Sequence, residues 1–256
     1  IFAEKLEQKK LDGIKLYGPE SGEIGGLTEE YLRLFKNDAL IMKHLGAFAV
    51  HSYHADNDIT ARRDFYNNSA VKNPDIRFDM SEWCELPCLN DVDSIEGALI
   101  TARIIGWDLC ELGAQSWCAW VAANQISDCR GDGLDYSDGL ITASDSFSHY
   151  KICKRYYALK HFTHFAPKGS QVLGNSENIN DLHIFTFRTP DGGTSLIAVN
   201  SGKEAIMETD PCYTDADIAV TDSRKDFELI KGKKISGTIA PLPKSITGIR
   251  LYGETP

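Results

Sequence analysis

The first two thirds of the chain alternate between short β-type runs and longer segments with a helical spacing of apolar residues. The predicted helices cover residues 1–12, 27–45, 93–112 and 147–165. The predicted strands cover residues 14–17, 47–53, 77–83 and 115–121. Because the two kinds of segment alternate strictly, the pattern predicts βαβ units with right-handed crossovers and a parallel sheet.

Turn-forming residues set the limits of these segments. Gly18-Pro19 is expected to end the first strand, because proline has no N–H for a β-ladder. The polar stretch 54–76 is predicted to be a long loop. After Pro167 the helical spacing stops, and short β-rich runs are separated by Gly, Asn, Asp and Pro. The pattern therefore predicts an α/β domain over residues 1–166 and an all-β sandwich over residues 167–256.

Two architectures fit four strand–helix units. One is half of an eightfold β/α barrel, and the other is a doubly wound open sheet. The sequence contains neither a Gly-x-Gly-x-x-Gly run after a strand nor a Gly-Lys-Ser/Thr phosphate loop. A dinucleotide or nucleoside triphosphate cofactor is therefore not expected.

Composition narrows the possible partners. The chain has 256 residues and a formal net charge of −10 at pH 7, with a pI near 5.2. Non-specific binding to nucleic acid needs a basic surface, so it is not expected. No apolar run approaches the length that a membrane-spanning helix requires. Cys84 and Cys88 have no second pair at zinc-site spacing, so no metal site is expected.

Chemically capable side chains gather where the predicted strands end. In parallel α/β folds the carboxyl ends of the strands lie at one edge, where catalytic groups collect. Carboxylates, imidazole, phenol and indole together suit a sugar, whose hydroxyls need polar partners and whose ring has apolar faces. The candidate residues are Glu20, His51, Tyr53, Glu82, Trp117 and Trp120.

Each candidate also has a structural explanation. Glu82 ends an apolar strand, where a carboxylate is either functional or part of an ion pair. Glu20 is equally compatible with bonding backbone N–H groups in its own turn, and His51 with a place in the core. Trp117 and Trp120 are three positions apart, so on a strand they face opposite sides, and one of them is expected in the core.

Five motifs in order resemble glycoside hydrolase family 30. They are KLYGPESG, AVHSYH, RFDMSEWCEL, SWCAWVAAN with the later YSDGLI, and PLPKSITGIRL. The resemblance runs over nearly the whole chain. It implies the C-terminal half, strands 5–8, of a (β/α)8 TIM barrel followed by a β-sandwich side domain.

The resemblance also implies an activity. It suggests a retaining hydrolase of β-linked polysaccharide, such as β-1,6-galactan or xylan, that uses no cofactor. Glu82 would be the nucleophile, with its carboxylate held by Tyr53 or His51. Trp117 would form the floor of the subsite at the scissile bond, and Glu20 is a further candidate substrate contact. By analogy with the family, the protein is expected to be secreted or periplasmic.

One part of the family pattern is not found in the chain. The family's acid/base glutamate follows the fourth barrel strand, and no counterpart precedes residue 14. We therefore expect the missing N-terminal half of the barrel as a partner, and a chain that is inactive and prone to association by itself. A non-catalytic carbohydrate-binding protein derived from such an enzyme is the alternative.

Overall fold

A computed structural model of the protein describes residues 1–86, 91–125, 138–144, 149–176 and 181–253. The chain forms two compact units. The first unit comprises Ile1–Trp83 and Trp107–Trp120. The second unit comprises Cys84–Gly106 and Val121–Pro256. The predicted boundary between residues 166 and 167 stays a prediction.

The first unit contains a four-stranded sheet in which every neighbouring pair is parallel. Its strands, in spatial order, are β1 (Leu16–Glu23), β2 (Leu45–Tyr53), β3 (Phe78–Trp83) and β4 (Trp117–Ala119). Each strand pairs with the next one along the chain, and the order does not reverse. The predicted parallel sheet is confirmed.

The prediction that Gly18-Pro19 ends the first strand is wrong. Strand β1 continues to Glu23, and Pro19 pairs with Ala49 of β2. Proline is tolerated because the pairing of β1 with β2 is irregular at this point, and such an irregularity needs no N–H from the proline. The register shifts between Pro19 and Ser21, and Glu20 adopts a φ of 63° at this irregularity.

The helices of the first unit differ from the predictions in two places. The predicted helix 27–45 is two helices, because Asp38 caps a new start by accepting from the N–H groups of Leu40 and Ile41. The predicted loop 54–76 contains a helix capped by Asp58 and a short π-helix. The helices are α1 (Phe2–Lys9), α2 (Gly26–Lys36), α3 (Ala39–His44), α4 (Ile59–Phe65) and the π-helix Tyr66–Ala70.

Aromatic packing explains why the stretch after Asp58 is not a loop. Phe65 of α4 is only 1% exposed, and its ring lies 5.9 Å from that of Phe78 on β3. Phe78 in turn lies 5.6 Å from Phe48 on β2. Polar residues dominate this stretch, but one buried ring is enough to hold a short helix against the sheet.

The second unit is dominated by an antiparallel sheet of six strands in the order β13-β12-β15-β10-β9-β8. It begins at Gln171, four residues after Pro167. Its strands are β8 (Gln171–Asn175), β9 (Leu182–Arg188), β10 (Thr194–Asn200), β12 (Tyr213–Thr221), β13 (Glu228–Lys234) and β15 (Ser245–Gly253). The prediction that this part of the chain is rich in β-strands is confirmed.

Both faces of the six-stranded sheet are covered. On one face, a two-stranded sheet of β11 (Met207–Glu208) and β14 (Thr238–Ile239) closes an apolar core. On the other face lies α6 (Lys154–Phe165). This helix packs so closely that a Cβ added to Gly248 of β15 would lie 2.2 Å from the Phe165 ring.

The remaining elements of the second unit are one long helix and three short strands. The helix, α5, covers Ile95–Cys110 and continues into the first unit at Trp107. Strands β5 (Ala123–Gln125), β6 (Ile141–Ala143) and β7 (Tyr150–Ile152) form a separate sheet. The predicted helix 147–165 is wrong at its start, because β7 pairs with β6 before α6 begins. Among the described residues, no helix is both long and apolar enough to span a membrane.

Candidate active site

The carboxyl ends of β1, β2 and β3 bring four of the predicted residues together. Glu20 lies at the register shift between Pro19 and Ser21 of β1. His51 and Tyr53 are at the end of β2, and Glu82 is the next-to-last residue of β3. His51 is the register partner of Glu82. As predicted, these side chains lie within contact of one another at one edge of the sheet.

Glu20 is held by two neighbouring strands. Its Oε2 atom lies 3.0 Å from Nε2 of His51 and accepts a 2.5 Å hydrogen bond from Oγ of Ser81. The φ of 63° places the Glu20 backbone in the left-handed region. That region is unfavourable for a residue with a side chain, and such strain concentrates at functional sites. The structural explanation in which Glu20 bonds only its own turn therefore does not describe these contacts, which extend across the sheet.

Glu82 faces the other side of the same imidazole. The Tyr53 hydroxyl donates to Glu82 Oε1 at 3.4 Å, and Nδ1 of His51 lies 3.8 Å from the same oxygen. The Glu82 side chain is 28% exposed, whereas that of His51 is 12% exposed. The carboxylate is thus oriented by its neighbours and still accessible to a ligand.

Ser81 is a member of this cluster that the sequence analysis missed. Besides Glu20, its hydroxyl also bonds the carbonyl of Val50 on β2 at 3.2 Å. Its position immediately before Glu82 in the motif was the available signal.

The two tryptophans differ in their surroundings. The Trp117 indole N–H donates to Asp108 of helix α5 at 2.9 Å, and its ring packs 6.2 Å from that of Trp83. Trp83 is only 1% exposed. Trp120, by contrast, is 47% exposed. The expectation that Trp117 forms the floor of a sugar subsite stays a prediction.

A second polar cluster lies in the core of the first unit. Arg62 of α4 and Asp108 of α5 form an ion pair with Nε to Oδ1 at 2.8 Å, and both side chains are fully buried. Ser52 of β2 also donates to Asp108, at 2.9 Å. Burial raises the pKa of Asp108, while Arg62, Trp117 and Ser52 act in the opposite direction. This network fixes the outer side of β2 and β4 directly behind the candidate site.

A further group of polar side chains, Tyr17, Asp79 and Cys118, lies on the same sheet. Burial and the nearby Asp79 carboxylate raise the pKa of Tyr17 to about 12. Asp79 is 2% exposed and is paired with Arg77 at 2.8 Å. Burial, Asp79 and Glu20 also raise the pKa of the Cys118 thiol. Tyr17, Asp79 and Cys118 of β1, β3 and β4 are therefore near one another, and Cys118 is also near Glu20.

One cluster elsewhere has the composition of a metal site. Glu7, Asp12 and His44 lie close enough to share an ion, and His44 is fully buried. The Lys43 ammonium already lies 2.6 Å from Glu7 and 3.1 Å from Asp12. Its hydrogen bond is the main cause of the lowered pKa of Glu7. The lysine supplies the positive charge there, so the cluster is explained as a salt bridge. Cys84 is buried, and Cys88 lies outside the described residues.

No family model matches the chain. Among curated proteins, it is 25% identical over 196 residues to a Caenorhabditis elegans protein named "Putative glucosylceramidase 1". That match covers 75% of this chain and 36% of the relative.

Two solved structures share the fold. A GH30 endoxylanase from Clostridium papyrosolvens C71 superposes with a TM-score of 0.71 at 16% identity, over 94% of this chain and 56% of that one. A conserved exported protein from Bacteroides fragilis gives a TM-score of 0.74 at 16% identity, over 97% and 57%. The resemblance to glycoside hydrolase family 30 is confirmed. The chain spans about a third of the length of the curated relative and a little over half of each of the two solved structures.

Proposed function

We propose that the protein is part of a retaining glycoside hydrolase with Glu82 as its nucleophile. The observation that carries this proposal is the position of the Glu82 carboxylate. It is 28% exposed at the carboxyl end of β3, 3.4 Å from the Tyr53 hydroxyl and 3.8 Å from the His51 ring. A nucleophile must be oriented, charged and accessible, and donors on one oxygen leave the other free to react.

The reaction has two steps. In the first, a Glu82 oxygen bonds to the anomeric carbon while the glycosidic C–O bond breaks, and a general acid gives its proton to the departing oxygen. In the second, water bonds to the same carbon, the glycosyl–Glu82 bond breaks, and the former acid takes the proton from that water. Tyr53 and His51 orient the Glu82 carboxylate, while Glu20, itself held by the Ser81 hydroxyl, contacts the His51 ring.

We further propose that β1 to β4 are the last four strands of a (β/α)8 barrel. Two facts support this: the strand order β1-β2-β3-β4 without reversal, and the coverage of only about half of the solved structures. On this proposal the acid/base and the other four strands come from a part of the protein outside these residues. The 256-residue chain by itself is then expected to have no turnover.

The proposed substrate is a β-linked polysaccharide, such as xylan or β-1,6-galactan. Support comes from the accessible carboxylate beside aromatic groups and from the structural likeness to an endoxylanase. Trp117 and Trp120 are the aromatic candidates for stacking on the sugar, and Trp120 is 47% exposed. The likeness to an exported protein supports a location outside the cytoplasm.

Trapping the covalent intermediate tests the nucleophile. A 2-deoxy-2-fluoroglycoside with a good leaving group forms the glycosyl-enzyme but slows its hydrolysis. Peptide mass spectrometry of the complete enzyme should place the added sugar on the peptide containing Glu82. The Glu82→Gln variant should remain unlabelled, and Glu20→Gln, its matched control on the same rim, should still be labelled.

Two results would contradict the proposal. Labelling of Glu20 instead of Glu82 would show that the nucleophile lies on β1 and not on β3. A complete protein that binds oligosaccharides without turnover or labelling would favour the alternative, a carbohydrate-binding protein derived from such an enzyme.

A further inference from the structure

A second polar pocket lies wholly within the β-rich unit. Its volume is about 350 Å³, at the lower end of the range for ligand sites. The end of α6, the β9–β10 hairpin and strands β12 and β15 surround it. The lining residues used below are Thr189, Pro190, Asp191, Asp217, Arg250 and Tyr252.

One wall is a rigid donor–acceptor pair. Arg250 Nη2 donates to Asp191 Oδ1 at 2.6 Å, and Nη1 donates to the Thr189 hydroxyl. Thr189 bonds the same Asp191 oxygen at 2.5 Å. The bonds from Thr189 and Arg250 lower the pKa of Asp191 to about 2, so the carboxylate stays an acceptor over the whole physiological range. The Asp191 side chain is 74% exposed, which leaves its second oxygen accessible.

The β9–β10 hairpin packs closely against Arg250. A Cβ added to Gly193 would lie 2.1 Å from Nη2 of Arg250, so the guanidinium rests directly on the glycine backbone. The Thr189 N–H closes the turn by bonding the Gly193 carbonyl at 2.9 Å. The polar groups are therefore set before any ligand arrives, which reduces the entropy lost on binding.

The opposite wall combines an aromatic ring with a second carboxylate. Tyr252 is 43% exposed, and its hydroxyl donates to Asp217 Oδ2 at 3.1 Å. Asp217 is held from behind by the Gly232 N–H, which donates to Oδ1 at 2.8 Å. The Arg250 guanidinium lies 6.0 Å from the Tyr252 ring centre. An apolar ring face thus stands beside paired donors and acceptors.

The charges that line the pocket disfavour an anionic ligand. Arg250 is already neutralised by Asp191, and the second carboxylate, Asp217, opposes any anion. Sugar hydroxyls both donate and accept, and they match a wall that offers guanidinium N–H groups and carboxylate oxygens together. The C–H face of a pyranose fits the exposed ring and Pro190.

We propose that this pocket is a second saccharide-binding site, which takes one or two neutral pyranose units of a β-linked polysaccharide. The polysaccharide class rests on the proposed function, whereas the pocket lies in the β-rich unit and uses none of the residues of the candidate active site. Its role is to retain polymeric substrate independently of the hydrolytic step.

Binding to the full chain, with any further residues of the natural protein included, tests this proposal. The probes are xylohexaose and a β-1,6-linked glucotetraose, measured by calorimetry and by NMR with selective ¹⁵N-glycine labelling. The amides of Gly192, Gly193 and Gly232 should shift on titration. Tyr252→Ala should weaken this binding by about tenfold or more. Tyr150→Ala, which removes a tyrosine that is 75% exposed on β7 and absent from the pocket lining, should leave it unchanged.

Two further variants keep the two proposals apart. Glu82→Gln and Trp120→Ala should leave the glycine shifts intact even if turnover or binding at the candidate active site is lost. Asp217→Asn keeps the shape of the pocket and should weaken binding without unfolding the protein. Unshifted glycine amides, or wild-type affinity in both Tyr252→Ala and Asp217→Asn, would overturn the second site. Neither outcome bears on Glu82.

Discussion

Two polar clusters border the same parallel sheet and differ in their access to water. At the rim, Glu20 is 43% exposed and Glu82 is 28% exposed, and both touch His51. In the core, Asp108 and Arg62 are fully buried and bonded to each other. A buried charge is tolerated only when an opposite charge pairs with it, as in the Arg62–Asp108 pair, so the inner cluster serves the fold. The rim cluster keeps oxygen atoms accessible, which is what a reaction requires.

Neighbouring polar residues of one strand can have different roles. Ser52 and His51 are adjacent on β2, yet Ser52 bonds Asp108 in the core and His51 bonds Glu20 at the rim. Strand alternation assigns neighbours to opposite sides of the sheet. The buried network then fixes the strands on which the rim side chains are carried.

The largest expected effect comes from the rim. In the complete enzyme, Glu82→Gln should lower kcat by at least about 10⁴-fold, because the covalent step loses its nucleophile. Thermal unfolding should stay close to that of the wild type, since the side chain is partly exposed. Turnover near the wild-type rate would remove Glu82 from the reaction.

The buried cluster should show the opposite pattern. Asp108→Ala leaves Arg62 as an unpaired buried charge, and we expect a loss of about 3–5 kcal/mol in the free energy of unfolding. Urea denaturation measures it. The double variant Asp108→Ala with Arg62→Met should recover much of the loss, because no buried charge remains. A single variant as stable as the wild type would contradict a structural role for the pair.

Acid should weaken the β-rich unit through a buried histidine. Burial lowers the pKa of His161 to about 3, so the folded state stays neutral while the unfolded state takes a proton below its ordinary value of 6.5. Stability is therefore full above pH 6.5 and declines as pH falls towards 3. Between pH 7.5 and pH 5 the loss should be about 2 kcal/mol.

Urea midpoints across this pH range measure the histidine effect. The variant His161→Gln keeps a polar group near the Thr221 hydroxyl, which now lies 2.9 Å from Nε2 of His161, and cannot titrate. Its stability should depend less steeply on pH than that of the wild type. Equal slopes would assign the acid sensitivity to other groups.

The smallest expected effect sharpens the description of the rim. Tyr53→Phe removes one donor to Glu82 and should lower kcat/KM by about tenfold, because the 3.4 Å contact belongs to the weak end of hydrogen bonds to charged groups. Steady-state kinetics with a soluble polysaccharide measures it. An unchanged kcat/KM would leave His51 as the residue that orients the nucleophile.

The sequence by itself determined the alternation of strands and helices, the β-rich texture after Pro167 and the residues of the rim. These features follow from local rules: hydrophobic periodicity sets the element type, and parallel strands bring their carboxyl ends to one edge. Glu20, His51, Tyr53 and Glu82 could be named for that reason, without knowledge of any contact between them.

Only the tertiary structure decided which neighbours these residues have. Continuation of β1 through Pro19 and the cross-strand contacts of Glu20 both depend on the register irregularity between Pro19 and Ser21. Asp108 looks like an ordinary helical residue until the fold buries it against Arg62, and the same carboxylate accepts the indole N–H of Trp117. Such pairings join residues far apart along the chain, and local patterns carry no information about which of them meet.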